Sequence, residues 1–293
     1  MSIVDEIKQS YKQGGALIKL IYINIGVFIV IRLLQAFLTL STGSLDYPLL
    51  QWVSVPSDPL ELLFKPWTII TYMFVHYDFL HILFNMLWLY WFGKIFLEFL
   101  NPRQLLGVYF LGGITGAVVY LIAYNLLPGL YQFQPNSILL GASASVMALL
   151  FTMARLRGNH KIYLLFFGGV PLKYLAIGSL ALDLINISAL SNTGGHLAHI
   201  GGALFGYLYA GWLGQGKDVT IRFNRVMDSI ATAFSKKSKM KVTHRRPLTD
   251  MEYNQRKNTK QHEVDRILEK IKSSGYDSLT ATEKKTLFDA SKK

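Results

Sequence analysis

The stretch HLAHIGGALFG, residues 196–206, sets two histidines and three glycines in an otherwise apolar run. His199, Gly202, Gly206 and Ala210 recur at i, i+3, i+7 and i+11, so on a helix they share one face. Glycines on such a face let another backbone approach unusually closely. The imidazole of His199 therefore points at whatever helix packs there. A buried histidine in apolar surroundings commonly does no more than satisfy a backbone carbonyl. The small-residue face beneath this one specifies a tight neighbour, which favours chemistry.

The surroundings of that stretch are those of a membrane protein. Hydrophobic residues make up 51% of the 293 and charged residues 16%. Of the 30 Lys and Arg, 19 follow residue 215 beside 10 acidic residues, so the first 215 positions hold only 11 basic and 8 acidic side chains. That is too few to solvate a soluble domain of this size. Apolar runs near the length of a bilayer core recur at 16–40, 78–100, 104–127, 139–155, 172–190 and 196–214. The expected fold is all-α: a polytopic bundle of six transmembrane helices over 16–215, after a short cytoplasmic segment at 1–15. A basic juxtamembrane linker at 216–262 and a small two-helix cytoplasmic module at 263–293 follow.

Charge placement agrees with six spans. Asp46, Asp58, Glu61 and Asp78 gather between spans one and two, against Lys65 alone, whereas Lys8, Lys12, Lys19, Arg103, Arg155, Arg157, Lys161, Lys173 and the tail collect on the other side. The positive-inside rule then puts both termini in the cytoplasm, and the expected location is a bacterial inner membrane. Arg32, inside the first span, fits poorly. Residues 41–77 are too apolar for a solvated loop and are expected to lie in the interface, with Trp67 and Tyr72 at headgroup level. The first 15 residues lack the apolar core and cleavage site of a signal peptide. The basic residues after the last span suit anionic lipid, or serve as a charged linker. With no cysteine, disulfide and thiol chemistry are excluded.

Polar side chains inside a bilayer are costly, so each needs a reason. Spans two, four and six run in the same direction, and their first turns carry His81 and Asn85 in HILFNM, Ser143 in GASAS, and His196 and His199. Three motifs thus meet at one depth near the outer face. His81 and Asn85, at i and i+4, are two donors able to converge on one point, although an Asn and a His stitching helices together look the same. A serine needs a base within reach to act as a nucleophile, most often histidine. Both Ser143 and Ser145 are available. Asp183, toward the outer end of span five, is the one acidic residue able to orient an imidazole. Its placement is open, and a Ser–His dyad is the simpler expectation.

Together GASAS, HILFN and AHIGGALFG resemble the rhomboid family of intramembrane serine proteases, across residues 16–215. The resemblance implies Ser143 as nucleophile, third in G-x-S after Gly141, with Ser145 left to packing. It implies His199 as general base and then acid for the leaving amine. His81 and Asn85, with the Ser143 backbone N–H, become the oxyanion hole. The position after the nucleophile is Ala144, the residue four beyond the nucleophile is Met147, and Thr68 follows the loop Trp67, all departures from the family's usual pattern. The activity implied is serine endopeptidase cleavage in or near the transmembrane segment of membrane-anchored proteins. Those substrates and the lipid bilayer, with anionic lipids at the tail, are the expected partners; no nucleic acid, cofactor or metal is implied. The site should be a water-filled cavity open to the outside, entered beside span five. Two other readings compete: an inactive relative that binds or escorts membrane helices, and a metal carrier built from His76, His81, His196 and His199.

Overall fold

The computed structural model describes residues 3–43, 48–164, 168–188, 192–234 and 249–291. The chain forms two compact units, Met1–Ser235 and Lys236–Lys293. In the first, α1 (Ile3–Gln13) leads to α2 (Ala16–Thr42), followed by the short helices α3 (Pro48–Val53), α4 (Pro59–Phe64) and α5 (Thr68–Thr71). The main helices are α6 (Phe79–Phe99), α7 (Pro102–Leu126), α8 (Ser143–Leu156), α9 (Leu172–Ile187) and α10 (Thr193–Gly214), with α11 (Thr220–Phe234) after them. The second unit holds α12 (Asp250–Ser274) and α13 (Ala281–Ser291).

Helices α2, α6, α7, α8, α9 and α10 fall on the six apolar segments. By length and composition α2, α6 and α7 are sufficient to cross a bilayer, with mean hydropathies of 2.2, 1.3 and 2.0. This is an integral membrane protein. The outward faces are greasy: Val30, Leu33 and Phe37 on α2 and Phe84 on α6 are exposed, as expected where lipid rather than water is the solvent. Arg32 places its guanidinium 5.5 Å from the centre of the Phe28 ring, a cation–π contact that shields the charge within α2.

The expectation of an all-helical chain needs one amendment. Two small antiparallel ladders join the helices: Val55–Pro56 (β1) with Ile138–Leu139 (β2), and Lys161–Leu164 (β3) with Gly168–Pro171 (β4). The first matters for the site, because it ties the loop between α2 and α6 to the segment entering α8. Tyr72, expected at headgroup level, is instead 1% exposed and donates to the Gly113 carbonyl at 2.6 Å. A phenol that deep needs an acceptor, and α7 supplies one. Trp67 does stay half-exposed, stacked on Trp52 and donating to its carbonyl at 2.8 Å.

Helix starts follow local chemistry. Asp78 caps α6 by accepting from the His81 N–H at 2.8 Å, and Asn101 with Gln104 forms a capping box on α7 with Pro102 in the first turn. The centre of the unit is α8, only 14 residues long, in which every residue from Ala144 to Leu150 is buried. Its neighbours α7 and α10 meet it with small residues. A Cβ added to Gly112 of α7 would overlap the Ala148 Cβ, and one added to Gly202 or Gly206 of α10 would overlap the carbonyl oxygen of Ala144 or Ala148.

The stretch expected as linker, 216–262, contains α11 and the first half of α12. Asp218 holds the start of α11, accepting from the Thr220 N–H at 2.9 Å, the Thr220 hydroxyl at 2.6 Å and the Gln104 amide of α7 at 2.9 Å. Phe223 packs on Phe110. The basic run at 235–248 lies outside the described residues.

In the second unit α12 opens on a capping box, Thr249 with Glu252, and ends at Gly275. Glu283 ties α13 to α12. It accepts from the Thr280 N–H at 2.8 Å and from Lys270 at 2.9 Å. Those donors, the Thr280 backbone first, hold the Glu283 pKa down at about 2 from 4.5. A depressed carboxyl pKa stabilises the fold above the unfolded value, and that stabilisation is lost as pH falls through the folded value. Hydrogen-exchange protection of 249–291, measured in the full chain, should therefore decline between about pH 4.5 and 2 in wild type. In Glu283→Gln it should already be reduced at neutral pH.

Candidate active site

Chain geometry before α8 decides where its first residue points. The Gly141 N–H donates to the Tyr72 carbonyl at 2.9 Å, and Gly141 has φ +119°, a conformation open to glycine and strained for other residues. Next, the Ala142 N–H donates to His76 Nε2 at 3.4 Å. His76 is 1% exposed; burial, and then the neighbouring His81, lower its pKa to about 3, so it stays neutral and keeps Nε2 as an acceptor. The turn thus delivers Ser143 as the first residue of α8, with no side chain capping that end. The free N–H groups and positive helix end lie beside the hydroxyl.

His81 closes over the same turn. Its Nδ1 accepts from the Tyr77 N–H at 3.3 Å, which leaves the proton of a neutral ring on Nε2. A point one Cβ away from Gly141 lies 2.9 Å from His81 Nε2 and 3.7 Å from Ser143 Oγ. A donor and the hydroxyl therefore flank one small space. Asn85 is 7% exposed and spends one amide proton on the His81 carbonyl at 2.9 Å, leaving its second for another acceptor.

A cavity of about 470 Å³ is lined by Ser143, Asn85, Met147, Asp183, His196 and His199 together with the apolar faces of α6 and α9. Ser143 and His199 reach it because α8 and α10 are pressed together at Gly202 and Gly206. So Ser143, His199 and Asn85 line one cavity, and His81 stands against Gly141 outside the lining residues. Two groups outside the expected Ser–His dyad and oxyanion hole join them. Asp183 places Oδ1 2.8 Å from His199 Nδ1 and 2.8 Å from His196 Nδ1. His76 supports the turn from behind. Sequence signals existed for both: an acidic residue in an apolar span, and a second histidine five residues before His81.

Of the four histidines weighed as carrier ligands, His76 and His81 lie 5.1 Å apart between ring centres and His196 and His199 lie 6.0 Å apart. Among the described residues, the metal-competent group is Asp183, His196 and His199.

Comparison with known proteins identifies a family for the membrane unit. The family model for the Rhomboid domain matches residues 64–216, and a family of unknown function, DUF6576, matches 249–293. The chain is 33% identical over 144 residues to RHOMBOID-like protein 12, mitochondrial, of Arabidopsis thaliana, covering 46% of this chain and 43% of that protein. It is 30% identical over 145 residues to presenilin-associated rhomboid-like protein A, mitochondrial, of Danio rerio, covering 47% and 35%. With rhomboid protease GlpG of Klebsiella pneumoniae it shares 29% over 115 residues, covering 39% and 37%. The chain thus spans less than half the length of these relatives.

Proposed function

The chain belongs to the rhomboid family, and we propose that it is an intramembrane serine endopeptidase acting on membrane-anchored proteins. The reading includes six membrane spans, with both termini on the positively charged, cytoplasmic side of a bacterial inner membrane. The observation that supports it is the close approach of α10 to α8 at Gly202 and Ala144, beside a cavity that both His199 and Ser143 line.

In this reading Ser143 Oγ attacks the substrate carbonyl while His199 Nε2 takes its proton. The oxyanion that forms lies at the start of α8, where the Ser143 N–H, the His81 Nε2–H and the second Asn85 amide proton can donate to it. His199 returns the proton to the leaving amine, and water then releases the acyl group by the same path. The cavity supplies that water within otherwise apolar surroundings.

A test uses purified chain in liposomes with a single-span substrate and a fluorophosphonate probe. Wild type should be labelled and should cleave, and His199→Ala should lose both by about 10³-fold or more. A folded wild type that takes no label would overturn the assignment and leave helix binding as the function.

A further inference from the structure

We propose that Asp183 is a positioning residue for the reaction, holding His199 in the tautomer that a base requires; this rests on the protease reading above. An ionised carboxylate only accepts hydrogen bonds. With Oδ1 at 2.8 Å from Nδ1 of both His196 and His199, each ring must carry its proton on Nδ1. A neutral imidazole has one N–H, so Nε2 of His199 is left as a lone pair. That is the state able to accept the Ser143 proton. A ring without such a partner divides between two tautomers, one of which has Nε2 blocked.

The placement of Asp183 makes little sense otherwise. It is the sole charged residue on α9 beyond Lys173, its side chain is 8% exposed, and the flanking Leu182, Leu184 and Ile185 face outward. Keeping a carboxylate on an apolar helix is costly. Two hydrogen bonds with the charged acceptor offset that cost. Both go to α10 and both to ring nitrogens, not to backbone N–H groups. One goes to His199, which lines the same cavity as Ser143.

The proton path follows. As Ser143 Oγ bonds to the carbonyl carbon, its proton passes to His199 Nε2 and the ring becomes an imidazolium. Asp183 keeps its charge, takes no proton, and stabilises that cation through the Nδ1–H bond. When the amine leaves, the Nε2 proton goes with it and the ring returns to its first state. His196, one turn earlier on α10, bonds the same oxygen and fixes where the carboxylate stands.

The alternative is that Asp183 merely staples α9 to α10. The two roles separate in kinetics of the full chain in liposomes, with a single-span substrate, for wild type, Asp183→Asn, Asp183→Glu and Ser143→Ala. Positioning predicts that Asp183→Asn lowers kcat about 100-fold, leaves KM within about twofold and keeps the melting temperature, while Asp183→Glu regains part of kcat. A staple predicts that loss follows stability and that Glu and Asn fail alike; that result, or an Asp183→Asn kcat within about threefold of wild type, overturns the inference. Failure of the protease reading looks different: wild type takes no label, or Ser143→Ala cleaves as wild type does.

Discussion

Ser143→Ala should abolish fluorophosphonate labelling and substrate cleavage, lowering kcat by about 10⁴-fold or more, while Ser145→Ala retains both within about threefold. The two serines are one helical half-turn apart and look alike in the sequence, but their surroundings differ. Ser143 is half-buried, begins α8 and borders the cavity beside the His81 ring. Ser145 is 1% exposed and faces α7, where a Cβ on Gly113 would lie 2.7 Å from its hydroxyl. That hydroxyl has no hydrogen-bond partner among the described residues. Removing a buried, unsatisfied hydroxyl costs little and can stabilise. Ser145→Ala should therefore melt at or slightly above the wild-type temperature. Cleavage surviving Ser143→Ala and lost with Ser145→Ala would move the nucleophile to the α7 side of α8, and the oxyanion assignments of His81 and Asn85 would fall with it.

Apolar run length located the helices well because burial and lipid exposure both demand apolar residues. The segments expected at 78–100, 104–127 and 196–214 appear as Phe79–Phe99, Pro102–Leu126 and Thr193–Gly214. The fourth begins at Ser143 rather than 139, because Ile138 and Leu139 pair with Val55 and Pro56 and Gly141 turns the chain. Hydropathy counts those residues as span, yet their backbone is extended. The polar half of α12 was missed for the opposite reason. Residues 250–262 carry no apolar stripe, although the capping pair Thr249 and Glu252 was there to be read. That His199 shares the glycine face along which α10 packs closely could be deduced from spacing within one helix. Asp183 could not be placed, because its partner is set by the rotation of α9 against α10, which no periodicity within α9 encodes. His76 is similar: its role depends on a turn 66 residues away.

Gly202 carries the second large effect, and it concerns packing alone. A Cβ there would overlap the Ala144 carbonyl oxygen and approach its carbon to 2.8 Å. The obstacle is backbone on a helix buried all round, so no side chain can swing aside. Gly202→Ala must push α10 away from α8, at a cost of about 1–3 kcal/mol or more from overpacking. Ser143 and His199 sit on the two helices being separated, and a shift near 1 Å at reacting groups costs about 10²-fold in rate. The expected result is a lower melting temperature together with at least about a 10²-fold loss of cleavage. Gly26→Ala on α2 gives the contrast, since nothing lies within 4 Å of its added Cβ. There the same methyl group should raise helix stability by up to about 1 kcal/mol and leave cleavage unchanged. Equal tolerance of the two substitutions would mean that α8 and α10 are not held at backbone contact. The proximity of base and nucleophile would then need another origin than the glycine face beneath His199.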